Sequence, residues 1–354
     1  MSMEVLPENK SLIGLSRDEL SELFLSWDQP HYRANQIYKW IHHHNVDHFD
    51  EMTNLYKSLR NQLADNFTLK TLFLHQKEIA SDGTEKYLWR LHDGRFIESV
   101  LIPETRRNTV CISSQVGCSL GCKFCATGTM GLVRNLTTGE IIEQVLQIQK
   151  ISKHQVTNVV FMGMGEPFMN YHRSVQAAKI LGDPEGLAIA GKRITISTSG
   201  VVPKIIQYAD EKLPFGLAIS LHAPTQDLRE KIMPIAKKFP LDELIESAKY
   251  YTSAKIRNRI TFEYVLLHDI NDSQNQANEL IKLLSPLRCK LNLIPCNQND
   301  LGYVPPSEEE VNLFARALMR APFAITVRKN RGEDITAACG QLAVITSEKV
   351  IYMK

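Results

Sequence analysis

CISSQVGCSLGCKFCATG, residues 111–128, opens on a strand-like run and turns into a loop holding three cysteines, Cys118, Cys122 and Cys125. Nothing nearby supplies a fourth. A structural zinc site takes four ligands, so a distant Cys289, Cys296 or histidine would have to complete one. The spacing, three residues and then two, is not the paired Cys-x2-Cys knuckle of a zinc ribbon. A [4Fe–4S] cluster normally takes four thiolates. Held by three, it keeps one iron open to a substrate or cofactor, which is a catalytic arrangement rather than an electron carrier's.

Downstream the chain alternates. Strand-like runs TVCISS, TNVVFM, RITIST, FGLAIS, ITFEYVLL, KLNLIP and FAITVRK are separated by helix-like segments such as TTGEIIEQVLQIQKI, NQANELIKLLSPL and SEEEVNLFARALM. That order predicts a parallel sheet covered by helices. The polar punctuation falls at the C-terminal ends of the runs: GCSLGCKFC after the first, GMGEP after the second, STSG closing the third, SLHA the fourth, and CNQND after the sixth. In a parallel barrel those ends meet at one mouth, where active sites are built.

Two shorter regions precede this one. Up to residue 65 the pattern is helical. Ser16 and Glu19 form a capping box before ELSELFLSW. Ala34, Ile37, Tyr38 and Ile41 share a face, and Met52, Leu55, Tyr56, Leu59 and Leu63 make a third stripe. His42, His43 and His44 fall at an expected helix end, where a charged histidine favours the dipole. Between residues 66 and 107, EKYLWRLHDGRFIESVLIPE carries Asp93-Gly94 between two alternating runs, a hairpin signal. Glu98 shares a strand face with Phe96, Val100 and Ile102. Buried there, it would lose solvation and become a candidate base; an edge-strand glutamate reaching water is the commoner explanation. The expected organisation is α/β: an N-terminal helical domain over 1–65, a linker and β-hairpin extension over 66–107, a partial (β/α)6 barrel over 108–340, and a tail over 341–354.

The 354 residues carry 41 basic and 39 acidic side chains, so the net charge of +2 gives no global push toward nucleic acid. Any RNA contact would need local clusters: Arg106-Arg107, Lys192-Arg193, Lys237-Lys238, Arg257 with Arg259, and Arg328-Lys329 with Arg331. MSMEVLPENKSL has no apolar run of leader length, and no stretch reaches a membrane span of about 18 apolar residues. A cytoplasmic protein is expected, with its seven cysteines reduced and used for metal binding or catalysis.

Cys-x3-Cys-x2-Cys with Phe124 before the last cysteine resembles the radical S-adenosylmethionine (radical SAM) enzymes. The resemblance implies the (β/α)6 radical SAM barrel and a [4Fe–4S] cluster on Cys118, Cys122 and Cys125, whose open iron takes the amino and carboxylate groups of S-adenosylmethionine. It also implies that Gly165, Glu166, Ser197, Ser220, Leu221, His222 and Asn297 contact that cofactor. CISSQVGCSLGCKFCATG, VVFMGMGEP, ITISTSGVVP, LAISLHAP and VRKNRGEDITAACGQLA are similar to an RNA-adenine methylating subgroup, the RlmN/Cfr family, over nearly the whole chain.

That subgroup implies a chemistry. Ring carbons C2 and C8 of adenine are electron-poor and cannot attack a sulfonium methyl. Cys339 would take a methyl from one S-adenosylmethionine; a second would yield the radical that activates it, so two are used per turnover. Glu98 matches the proton acceptor. Cys111 matches the thiol that resolves the intermediate through a transient disulfide with Cys339. GMGEP and STSG, rather than the GMGEA and STIG of C8 (Cfr-type) enzymes, imply C2 of adenosine 2503 in 23S rRNA, with adenosine 37 of some tRNAs as a further substrate. The alternative is the C8 enzyme. An electron donor such as flavodoxin or ferredoxin is implied, and nothing in the sequence requires more than a monomer. Cys289 and Cys296 match no catalytic position.

Overall fold

The computed structural model describes residues 11–254, 259–297, 301–328, 330–342, 345–346 and 349–350. The leader reading of the first ten residues, Arg257, Lys329, the end of CNQND and most of the tail lie outside the described residues.

Three helices come first: α1 (Arg17–Ser26), α2 (Tyr32–His42) and α3 (Lys57–Asn66). The Ser16–Glu19 capping box starts α1 as the sequence predicts. The third stripe is only partly helical: Met52, Leu55 and Tyr56 precede α3, and Tyr56 is exposed. The histidine expectation is also corrected. His42 is buried against Tyr38, and burial pushes its imidazole down to about 3, so it carries no charge toward the helix dipole.

Next come β1 (Leu72–Ile79), β2 (Glu85–Leu91), β3 (Phe96–Glu104) and β4 (Arg107–Cys111). Asp93-Gly94 turns β2 into β3, with Gly94 at φ +79°. The strand β1 is an addition to the expected hairpin. Its sequence LFLHQKEI does not alternate, because it is mostly exposed and broken by an irregularity between Leu74 and Gln76. Since β3 lies between β2 and β4, Glu98 is not on an edge strand; it is 2% exposed.

The cysteine loop carries a small hairpin, β5 (Gln115–Cys118) with β6 (Gly131–Asn135), and the short helix α4 (Ala126–Thr129). Then the alternation runs as expected: α5 (Thr138–Ile151), β7 (Asn158–Phe161), α6 (Tyr171–Leu181), β8 (Ile194–Thr198), α7 (Val202–Asp210), β9 (Gly216–Ser220), α8 (Gln226–Ile232), α9 (Leu241–Ala254), β10 (Ile260–Leu266), α10 (Gln274–Leu284), β11 (Cys289–Pro295), α11 (Glu308–Ala317) and β12 (Ala324–Val327). One sheet holds β1-β2-β3-β4-β7-β8-β9-β10-β11-β12 in that order. From β4 to β12 every pairing is parallel, which makes six βα units closed off by a seventh parallel strand; β1 and β12 are the free edges. A tail hairpin pairs β13 (Ile345–Thr346) with β14 (Lys349–Val350). No helix among the described residues is long and apolar enough to cross a membrane.

Helix α5 joins the layers. Gly139 through Ile148 are all buried, although four of the ten are Glu or Gln. They pass because each is answered: Gln144 accepts from Ser99 Oγ and the Ser113 N–H, and donates to the Ser113 carbonyl. Glu143 accepts from the Thr71 and Leu72 N–H groups, 3.0 Å each, and from the Thr71 hydroxyl, which pins the start of β1. The helical domain seats against the same helix. A Cβ on Gly14 would lie 2.7 Å from the Gly139 nitrogen, so only glycine allows the approach. Glu143→Ala leaves three buried donors without acceptors and is expected to cost about 3 kcal/mol, read as a lower urea midpoint. Burial raises the Glu143 carboxyl from 4.5 to about 7. Its folded value exceeds the unfolded one, so its contribution is full below 4.5 and is lost as pH rises through about 7. Melts of the native protein and Glu143→Gln should differ in slope over that window.

Candidate active site

The strand ends converge on a cleft of about 940 Å³, open solvent included. Every parallel strand from β7 to β12 contributes to its wall directly or through the loop that follows, as does the cysteine loop.

Cys122 and Cys125 line the cleft, and Cys118 is buried beside them. The loop is held in place by backbone bonds, Lys123 N–H to the Ile232 carbonyl (2.9 Å) and Ala126 N–H to the Gly340 carbonyl (2.7 Å). Burial pushes the Cys118 thiol up to about 12 and raises the other two. The zinc alternative needs a fourth ligand, and the two distant cysteines are placed differently. Cys289 starts β11, at the far end of the barrel. Cys296 lines the cleft, but its Sγ lies 3.3 Å from the Asn297 carbonyl.

GMGEP forms the wall after β7. Gly165 takes φ +98°, and a Cβ there would sit 2.5 Å from Gln115 Cβ. Gly165→Ala should therefore displace the loop and weaken S-adenosylmethionine binding by at least tenfold, a change of about 1.4 kcal/mol, measured by calorimetry. Glu166 is buried and accepts from the Phe168 N–H (2.9 Å) and the Ser199 N–H (2.7 Å). The Thr198 and Ser199 side chains also bond to it, and burial raises its carboxyl against these contacts. Ser197, Ser220 and His222 line the cleft along β8 and β9, next to this loop, and Leu221 is fully buried between Ser220 and His222 in sequence. His222 stands at φ +58°; burial pushes its imidazole down to about 3. Its Nδ1 accepts from the Val265 N–H at 3.0 Å, so the ring proton is on Nε2. Asn297 closes the rim, with its buried Oδ1 lacking a partner among the described residues.

Arg229, which sequence reasoning missed, organises this wall. Fully buried, it donates to the carbonyls of Ser199 (2.7 Å), Ser220 (3.2 Å) and Leu221 (3.2 Å). Burial pushes its guanidinium down to about 10. Glu263 was missed as well. It is buried in the cleft wall, accepts from Asn292 Nδ2 at 3.0 Å, and has an Oε2 with no partner among the described residues. A glutamate inside the strand run ITFEYVLL was the available signal.

Cys339 is exposed on the cleft rim, and Arg328 Nη1 lies 3.5 Å from its Sγ. Cys111 ends β4, buried and outside the cleft lining. Burial pushes its thiol up to about 12; Cys339 adds to the rise and Arg328 opposes it. Both cysteines are free. Thus two thiols 228 positions apart in sequence come within electrostatic reach of one guanidinium. Glu98 does not line the cleft; it lies on β3, across the sheet register from β4.

The basic clusters do not form one stripe at this mouth. Arg106-Arg107, Lys192-Arg193 and Arg259 sit at the N-terminal ends of β4, β8 and β10, the opposite end of the barrel. Arg328 is committed to Cys339 inside the site. Lys237-Lys238 is exposed after α8.

An open parallel barrel that gathers three cysteine thiols and a Gly-Glu loop at its mouth defines the radical SAM class of enzymes, and the Radical SAM superfamily model matches residues 112–281. The model of the ribosomal RNA large subunit methyltransferase N-terminal domain matches residues 10–69. The probable dual-specificity RNA methyltransferase RlmN of Geobacillus kaustophilus (strain HTA426) is 44% identical over 343 residues, 96% of this chain and 94% of that one. Its counterpart in Alkaliphilus oremlandii (strain OhILAs) is 46% identical over 337 residues, 95% and 98% of the two chains. The crystal structure of a radical SAM methyltransferase from Sphaerobacter thermophilus superposes with a TM-score of 0.90 at 44% identity, covering 94% of this chain and 98% of that one. The chain belongs to the RlmN family of radical SAM RNA methyltransferases. It is therefore an enzyme that methylates RNA, and the family implies a [4Fe–4S] cluster and S-adenosylmethionine. The residues present fit both: three free thiols, Cys118, Cys122 and Cys125, share one loop at the cleft, and the buried Asn297 Oδ1 on its rim has no partner among the described residues.

Proposed function

We propose that the enzyme methylates C2 of adenosine 2503 in 23S rRNA, and adenosine 37 of some tRNAs, by way of Cys339. The observation that carries this reading is the meeting of Cys339 and Cys111 at Arg328. A methyltransferase that moves a methyl straight from S-adenosylmethionine to RNA has no use for two such thiols.

Cys118, Cys122 and Cys125 would hold the cluster, while Gly165, Glu166, Ser197, Ser220, Leu221, His222 and Asn297 would hold S-adenosylmethionine. When bound, that pair supplies a methyl group and the carbon radical that activates it, one S-adenosylmethionine for each. Cys339 accepts the methyl by displacement, with its sulfur 3.5 Å from Arg328 Nη1. Once that carbon is joined to the adenine ring, Glu98 takes the ring proton, and the unpaired electron left by the radical addition would return to the electron-donor system that began the cycle. Cys111 then attacks the Cys339 sulfur; the carbon–sulfur electron pair leaves with the carbon, a proton completes the methyl, and a disulfide remains. A cellular thiol system reduces it. The helical domain over 1–65 serves as an RNA-gripping accessory to the barrel over 108–340, and the linker and β-hairpin extension over 66–107 carries Glu98. The enzyme works in the cytoplasm as a monomer with a flavodoxin or ferredoxin as electron donor.

The test is an anaerobic reaction of cluster-loaded protein with S-adenosylmethionine, reductant and unmodified 23S RNA fragment, followed by nucleoside mass spectrometry. 2-Methyladenosine is expected; 8-methyladenosine would give the site to the C8 reaction instead.

A further inference from the structure

Strand β2 carries a buried lysine that the chemistry above does not use. The Lys86 side chain is 7% exposed, and a buried ammonium is costly unless paired. Its Nζ is 2.7 Å from Glu78 Oε2, 3.9 Å from Glu98 Oε1 and 3.0 Å from Thr336 Oγ1. The first two follow from the sheet. Lys86 pairs directly with Glu78 on β1 and Val100 on β3, and Glu98 is one step along β3 on the same face. Thr336 belongs to no strand. It stands three residues before Cys339, in the left-handed region at φ +50°, where a β-branched residue stays only if held.

The turn between β1 and β2 grips the same segment. The Ser81 N–H donates to Asp334 Oδ2 (2.9 Å), the Gly332 N–H donates to Asp82 Oδ2 (3.2 Å), and Arg331 lies 3.6 Å from Asp82. Beyond Cys339, the segment is bonded to the cysteine loop through the Gly340 carbonyl. Cys339 thus hangs between two anchors, and Lys86 touches both one of them and Glu98.

We propose that Lys86 is a positioning residue that locks Glu98 and the Cys339 segment into one arrangement, with the β1–β2 turn as the clamp. This rests on the roles given above to Glu98 and Cys339.

Hydrogen–deuterium exchange on full-length, cluster-loaded protein, without RNA or S-adenosylmethionine, tests it. In Lys86→Met the amides of residues 330–342 should exchange about tenfold faster while those of β8 and β9 stay protected. Lys86→Arg should restore protection. Thr336→Val, which removes the tether without stranding a buried charge, should give the same local opening, and keeps the test valid if Lys86→Met fails to fold. In methylation assays the same variants should lower kcat about tenfold with KM for RNA unchanged. Unchanged exchange over 330–342 in Thr336→Val and Lys86→Met overturns the inference, even where methylation still depends on Cys339. Local opening in an enzyme whose methylation ignores Cys339 would instead leave the clamp standing and sink the proposed chemistry.

Discussion

With Cys111 replaced by alanine, the enzyme is expected to stop after one chemical event per chain and to stay covalently joined to its RNA. On the proposed chemistry the link would be a thioether between Cys339 and a carbon on adenine. Water does not cleave a thioether at neutral pH; an attacking thiolate that forms a disulfide with the departing sulfur can. Cys111 is the thiol placed to do so: it interacts with Cys339 and with Arg328, whose charge opposes the rise that burial imposes on the Cys111 thiol. Cluster-loop Cys125 interacts with Cys339. Turnover should fall by at least about 10³-fold, and a denaturing gel should show a nuclease-sensitive band of slower mobility in near-stoichiometric amount. Cys339→Ala, alone or combined with Cys111→Ala, should give neither band nor product. Ordinary multiple turnover by Cys111→Ala would remove the resolving step from the scheme.

The second large effect is on folding. Arg229→Leu should destabilise the protein by roughly 4 kcal/mol, because a buried charge-assisted network disappears and three carbonyls at the ends of β8 and β9 are stranded. Those carbonyls belong to Ser199, Ser220 and Leu221, so the wall assigned to S-adenosylmethionine should collapse with them. Thermal unfolding in the absence of ligands isolates the folding term. Calorimetric titration of the surviving folded fraction should show no saturable binding. Arg229→Lys should recover only part of the loss, since one ammonium cannot reproduce the planar fork that spans the two loops. A midpoint unchanged in Arg229→Leu would mean that water or backbone rearrangement satisfies these carbonyls.

Both effects depend on residues of very different legibility. Cys118, Cys122, Cys125 and the GMGEP loop stand out in the sequence because chemistry with fixed spacing leaves local marks. The parallel barrel was equally readable: seven apolar runs with helical stretches between them admit few topologies, and polar residues at one end of each run locate the mouth. The capping boxes and the Asp93-Gly94 turn are local as well, and the structure keeps them.

What the sequence by itself determined, then, is the layer order, the mouth and the cysteine loop, since each depends on interactions within a few residues. Only the tertiary structure decided the rest. Glu98 reads as an edge-strand glutamate until β2 and β4 flank its strand and bury it. Arg229 and Lys86 look like surface charges until the packing removes them from water and supplies carbonyls to the first, and carboxylates and the Thr336 hydroxyl to the second. Arg328 reads as part of a basic patch, yet the end of β12 turns it inward onto Cys339. Strand β1 has no periodicity because one edge and much of its surface face solvent, so pairing with β2 and the Glu143 anchor on α5 set its place. A buried charge is specified by partners that arrive from distant parts of the chain, and no window of sequence contains them.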